Sequence, residues 1–160
     1  MIRTRLIICV ILGVLVANGA AAISVNAVGS WSRTVAASDL VARAGSDLHS
    51  SYESAAAQVS LYISGATDKD DAWRVDVSKT NGTWSGAFHL FVRRTGNGDG
   101  AGSISGGATY QEIGSMATAF FSGAGDRTSI PLQLELSGMS VQASPNTYST
   151  TVTYTVVDTL

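Results

Sequence analysis

Three groups of residues in this chain have types that could do chemistry: two histidines, a run of aspartates and a glycine-rich stretch. His49 and His89 stand 40 positions apart, with no HxH or HxxxH spacing that would aim two imidazoles at one zinc ion. Asp68, Asp70 and Asp71 put three carboxylates in one turn, a set of hard oxygens of the kind Ca²⁺ takes. The run lacks the regular aspartate spacing and the distant bidentate glutamate of a calcium loop, so a solvated turn is the competing reading. Gly96 to Gly107, GNGDGAGSISGG, is glycine-rich but carries no GK[ST]. It reads as a mobile hairpin loop. Serines are abundant, yet no GxSxG elbow occurs, and neither histidine stands in a triad-like setting. Nothing here asks for a cofactor or a metal, and a non-catalytic protein is expected. The remaining chemical option is stacking. Trp31, Trp73 and Trp84, with Tyr52, Tyr62, Tyr110 and Phe91, are numerous enough for a sugar-stacking platform; Trp31 and Trp73 fit inward positions, and exposure of Trp84, Tyr62 and Phe91 in a row would favour sugar. Asn81-Gly82-Thr83 is a formal N-glycosylation sequon.

The elements that would position these residues are strands. Pro145 to Val157, PNTYSTTVTYTVV, alternates Tyr148, Thr150, Val152, Tyr154 and Val156 against Ser149, Thr151, Thr153 and Thr155. A period of two in β-branched and aromatic residues fits a half-buried pleated surface. Ile130, Leu132, Leu134 and Leu136 alternate in the same way, and the two segments are expected to close the sheet as a pair. After Gly138 the apolar set shifts to Met139 and Val141, which reads as a β-bulge. Upstream, Val59–Ser64, Ala72–Lys79 and Gly86–Thr95 alternate likewise, and Asn81-Gly82 between the last two is a strong hairpin signal. Ala108–Ile113 and Ala117–Ser122 add two short strands, with Phe120 and Phe121 in the core. Ile23–Val35 reads as one edge strand with Ile23, Val25, Ala27, Gly29 and Trp31 on one side. Residues 36–57 read as a loop with at most a short helix, despite Ser38-Asp39 and Ser46-Asp47 as helix-start signals. About eight short strands separated by Gly, Asn and Asp turns, with no crossover helices, predict an all-β, immunoglobulin-like antiparallel β-sandwich. The expected core is Trp73, Val75, Leu90, Val92, Leu132, Leu134, Val152, Tyr154 and Val156.

The first 22 of the 160 residues have the three parts of a secretory signal peptide. Arg3 and Arg5 are the basic start, Leu6–Val16 is an apolar run of 11 residues, and Ala20-Ala21-Ala22 offers a cleavage site. The run is short for a bilayer span; an uncleaved anchor is the alternative. Cleavage would leave residues 23–160 as a single domain, without Cys9, the only cysteine. It would also remove two arginines and take the net charge from −2 to −4. A mildly acidic chain is a poor match for nucleic acid or for anionic lipid.

Two resemblances rest on these strands. Trp73-Arg74-Val75 in DAWRVDVS and Tyr154-Thr155-Val156 in YSTTVTYTVVD stand where a WxL-type cell-surface domain carries its two Trp-x-Leu motifs. GAGDRTSIPLQLELSG and the following Pro-x-x-Tyr are also similar to that family, over roughly residues 59–158. Valine replaces leucine at both third positions, and tyrosine replaces the second tryptophan. The C-terminal strand also resembles that of fimbrial and spore-coat-U-type secreted β-sandwiches. Both resemblances imply a non-catalytic secreted or cell-surface module; the WxL-type motif positions make Trp73, Val75, Tyr154 and Val156 candidate binding residues, and Trp84, just after the Asn-Gly turn, is a further candidate. The expected partner is an envelope polymer or another surface protein. Subunit assembly by strand exchange through residues 23–35 and a carbohydrate-binding module are the alternatives. The membrane is expected to be met only through the signal segment before cleavage.

Overall fold

Among the described residues, period-two alternation becomes twelve strands in two sheets. The computed structural model describes residues 4–12 as backbone, and residues 22–42 and 44–159 in full. The strands are β1 (Thr4–Leu12), β2 (Ser24–Val28), β3 (Trp31–Val35), β4 (Ser51–Glu53), β5 (Val59–Ser64) and β6 (Ala72–Asn81). They continue with β7 (His89–Arg94), β8 (Ile104–Gly106), β9 (Gln111–Glu112), β10 (Thr118–Ala124), β11 (Arg127–Ser137) and β12 (Thr147–Asp158). One sheet has the order β3-β1-β12-β6-β10-β8, and the other has β2-β5-β11-β7-β9 with β4 also on β11. Every ladder among the described residues is antiparallel except β1–β12, which is parallel. The all-β class expected from the sequence is observed. Among the described residues the one helical turn is a 3-10 turn at Ala37–Asp39.

One apolar cluster lies between the sheets. Leu61, Ile63, Leu90, Val92, Leu132 and Leu134 come from one sheet, and Trp73, Val75, Val152 and Tyr154 from the other; all are buried. Each such side chain contributes about 1.5–3 kcal/mol by leaving water. Of the expected core, only Val156 is half-buried, at the margin of the cluster. Trp73 donates its indole N–H to Gly125 O at 2.8 Å and meets Phe121 edge-on at 6.0 Å. Phe120 and Phe121 are both buried although adjacent, because the β10 ladder slips between Ala119 and Phe121.

Several expectations about connection are corrected. Residues 23–35 are not one strand: at Gly29-Ser30 the chain leaves one sheet for the other. Gly29 has φ +126, and a Cβ there would collide with the Gln58 carbonyl. Asn81-Gly82 does not make a hairpin, since β6 and β7 belong to different sheets. The turn is tied instead to the start of β12, with Gly82 N–H on Ser149 O at 3.1 Å and Thr83 Oγ1 on Thr147 O at 2.8 Å. The 130–136 and 147–157 strands face each other across the core and do not pair. Past Gly138 (φ +81) the strand ends where a bulge was expected; Met139 turns inward and Val141 is exposed. The register shift in β11 lies instead between Arg127 and Ile130, with Ser129 at φ 54.

The expected leader, residues 1–22, falls mostly outside the described residues. Within it, β1 is an interior strand, between β3 and β12. Among the described residues no helix is long and apolar enough to cross a membrane.

Candidate functional site

The polar side chains singled out from the sequence hold turns together. Thr67 donates from its N–H and its hydroxyl to Asp71 Oδ2, at 2.7 and 3.0 Å. Asp68 Oδ1 accepts from Asp70 N–H at 2.7 Å, and Asp126 Oδ1 from Ala66 N–H at 2.9 Å. Among the described residues no group of three His, Cys, Asp or Glu could hold a metal ion. His49 and His89 are both exposed. His89 Nδ1 lies 2.7 Å from Glu112 Oε1 on the surface, and His49 meets Tyr52 edge-on.

The glycine-rich stretch is neither a hairpin loop nor free of the body. It carries the chain from β7 in one sheet to β8 in the other. Arg94 donates to Gly96 O at 2.9 Å and Gly106 O at 2.8 Å, and Arg127 donates to Gly102 O. Asp99 and Thr128 exchange two backbone hydrogen bonds of 2.8 Å. Burial, and then the neighbouring Arg127, hold the Arg94 pKa below its usual value. Neither arginine belongs to a motif in the sequence; each simply borders a glycine-rich segment.

The aromatic residues do not make an exposed row. Trp84 is half-buried, donates its indole N–H to Phe88 O at 3.0 Å and meets Phe88 edge-on at 5.8 Å. Lys79 sits over its ring at 4.8 Å. Tyr62, Phe91 and Tyr110 are half-buried on the outer face of the other sheet. Arg93 stacks on Tyr110 at 4.6 Å, and the Tyr110 hydroxyl donates to Glu53 at 2.9 Å. Partial burial, then the Glu53 contact, pushes the Tyr110 phenol up to about 12. Of the candidate binding residues, Trp73 and Val75 are fully buried and Tyr154 is 2% exposed. The β6–β12 ladder pairs Val75 with Val156 and Val77 with Tyr154. Four of the five candidates therefore share one sheet and face the core or its margin, while Trp84 stands apart on its turn.

A different feature is the strand position that β1 fills between β3 and β12. Among the described residues, β3 has no ladder partner other than β1. β12 is paired with β6 on one edge and with β1 on the other. The strands flanking β1 are thus separated by two strand spacings, about 10 Å. The parallel ladder runs from Arg5↔Thr147 to Leu12↔Tyr154, and the antiparallel one from Thr4↔Val35 to Ile8↔Trp31. Positions 6, 8, 10 and 12 lie across from Tyr148, Thr150, Val152 and Tyr154, the buried set of β12.

At the Val35–Tyr148 end, this one-strand slot adjoins an apolar pocket of about 430 Å³. Leu40, Leu48, Met139 and Val141 line it together with Val35 and Tyr148. Asp47 ties the two loops beside it. Its carboxylate accepts from Val141 N–H at 2.9 Å, Ser140 Oγ at 3.1 Å and Leu48 N–H at 2.8 Å. The Val141 and then the Leu48 amide hold the Asp47 pKa below the usual carboxylate value. Sequence reading missed this site because it is made by loops, 36–50 and 138–146, that carry no periodic signal. The only hint was that the leader's apolar run has the length of a strand. No protein-family model matches this chain, and no curated protein matches it.

Proposed function

We propose that this chain is a secreted or cell-surface structural module, attached to the cell envelope, that acts by binding and not by catalysis. The observation that carries the reading is what its chemistry-bearing side chains do. Aspartates 68, 71 and 126 hold turn amides, Arg94 and Arg127 hold a glycine loop, and Trp73 and Trp84 donate to backbone carbonyls. A scaffold built this way presents a shape and its strand edges. Removal of residues 1–22 as a signal peptide belongs to the proposal, as does an immunoglobulin-like connectivity for the two-sheet body. The WxL-type resemblance would make an envelope polymer or a surface protein the partner. A carbohydrate platform is less favoured, because Trp84 packs back on its own turn.

Subunit assembly by strand exchange is favoured by one further observation, the interior position of β1. The test of the main reading is fractionation of the producing cells with N-terminal mass analysis, followed by pulldown of the processed chain on purified cell walls and on glycan arrays. Wall retention of a chain starting near Ile23 is expected. A chain found only inside the cell with residues 1–22 intact overturns the reading.

A further inference from the structure

Removing residues 1–22 would empty an interior strand position. β12 would lose one of its two ladders, and β3 would keep none among the described residues. The gap would be one strand wide and walled on both sides, so a folded sheet edge cannot enter it; a single extended segment can.

β2 has the properties such a segment needs. It lies at the end of its sheet and is held by one five-pair ladder to β5. After cleavage it begins at a free N-terminus, and Gly29, at φ +126, follows it as a hinge. Ile23, Val25 and Ala27 alternate with Ser24, Asn26 and Val28, giving one face for a core and another that is largely polar. From the structure and the secreted, processed state proposed above, we infer that β2 of a second copy fills the slot between β3 and β12. It runs parallel to β12, with Ile23 at the apolar pocket.

In this register Ile23, Val25 and Ala27 take positions 6, 8 and 10, opposite Tyr148, Thr150 and Val152. Asn26 takes position 9, beside Thr151. The N-terminus lies at the pocket end, so the donor's body lies beyond Tyr154, clear of the acceptor's loops. An edge position with one ladder is exchanged for an interior position with two. The donor's own slot stays open to a third copy, and such head-to-tail exchange yields chains.

The processed chain has no cysteine, so engineered thiols report the contact. Asn26 is exposed on one sheet and Thr151 points outward from the other, so their side chains leave opposite faces of a single copy and cannot be bridged within it. The full-length gene carrying Asn26→Cys and Thr151→Cys is expressed for secretion, and the product is oxidised and weighed. A ladder of disulfide-linked multimers is expected. Asn26→Cys with Thr155→Cys, whose β12 position lies past the slot, is expected to give at least tenfold less. Absence of multimers from both, or equal yields from both, overturns the inference.

A second variant covers failure to fold. Writing residues 23–28 over positions 6–11 (L6I, I7S, I8V, C9N, V10A, I11V) of the full chain, produced without export so that residues 1–22 stay attached, supplies each copy with its own donor. A folded monomer is expected; an unfolded or multimeric product overturns the proposed fit. Mass analysis separates the two readings. Retained residues 1–22 count against secretion with cleavage, whereas a chain starting at Ile23 without cross-linking counts against strand exchange alone.

Discussion

Asp47 shows how one exposed carboxylate organises two loops. Its three acceptor contacts join residues 47–48 to 140–141 beside the apolar pocket. Amide donors favour the charged form, so the folded pKa lies below the ordinary 3.8. Its contribution is present above the unfolded value and is lost as pH falls through the folded one. Protection of the Val141 amide against hydrogen exchange is therefore expected to hold at neutral pH and to drop below about pH 4; Asp47→Ala should show the dropped value at every pH. Tyr154 makes the opposite case. Among the described residues its buried hydroxyl finds no hydrogen-bond partner, and burial pushes its pKa far up. An unsatisfied buried hydroxyl is a liability. Tyr154→Phe is expected to leave stability unchanged or raise it by about 1 kcal/mol in denaturant unfolding. A loss of more than that would mean the hydroxyl has a partner. Gly138 is constrained by its backbone: φ is +81, and a Cβ would strike the Ala87 carbonyl. Gly138→Ala should cost about 1–3 kcal/mol or more in the same assay.

At the scale of elements, alternation named the faces correctly but not the partners. Leu132, Leu134, Val152 and Tyr154 are all buried, as their period of two requires. Yet β11 and β12 lie in opposite sheets, and so do β6 and β7 despite the Asn-Gly between them. A period of two states which side chains face inward. It does not say which neighbour supplies the hydrogen bonds, because every strand offers the same backbone edge. Asn-Gly is a local signal, and here Ser149 O and Thr147 O outcompete a hairpin for the turn's donors. The slot and pocket were illegible for a related reason: loops 36–50 and 138–146 meet there only after both sheets have formed. Where β11 slips register, Ser129 stands at φ 54, a left-handed conformation that costs a side-chain-bearing residue about 1–2 kcal/mol. Ser129→Gly relieves this and adds chain entropy to the unfolded state, so a net gain of up to about 1 kcal/mol is expected in thermal unfolding. A loss would show that the hydroxyl, which reaches toward Tyr62 at 3.4 Å, matters more than the strain.

At the scale of the molecule, stability and concentration are linked wherever a sheet is completed by another copy. A strand supplied in trans stabilises the folded state by mass action, whereas one supplied in cis does not. Well above the dissociation constant, each tenfold rise in protein concentration should add about 1.4 kcal/mol to the apparent stability of the processed chain. The variant with residues 23–28 written over positions 6–11 carries its donor in cis, so its midpoint should not move with concentration. Charge acts in the same direction for all copies: the processed chain is at −4, and like charges oppose association. Raising ionic strength from low salt to about 0.15 M shortens the Debye length to about 8 Å and should strengthen the exchange modestly. Hydrophobic burial along Tyr148, Val152 and Tyr154 depends little on salt at these levels, so it sets most of the affinity. Thermal midpoints of the processed chain measured across two decades of concentration therefore decide the matter. A midpoint that rises with concentration for the processed chain and stays fixed for the grafted variant means the sheet is completed by a second copy. A midpoint fixed for both means that β3 closes onto β12 within one molecule, and strand exchange is then wrong.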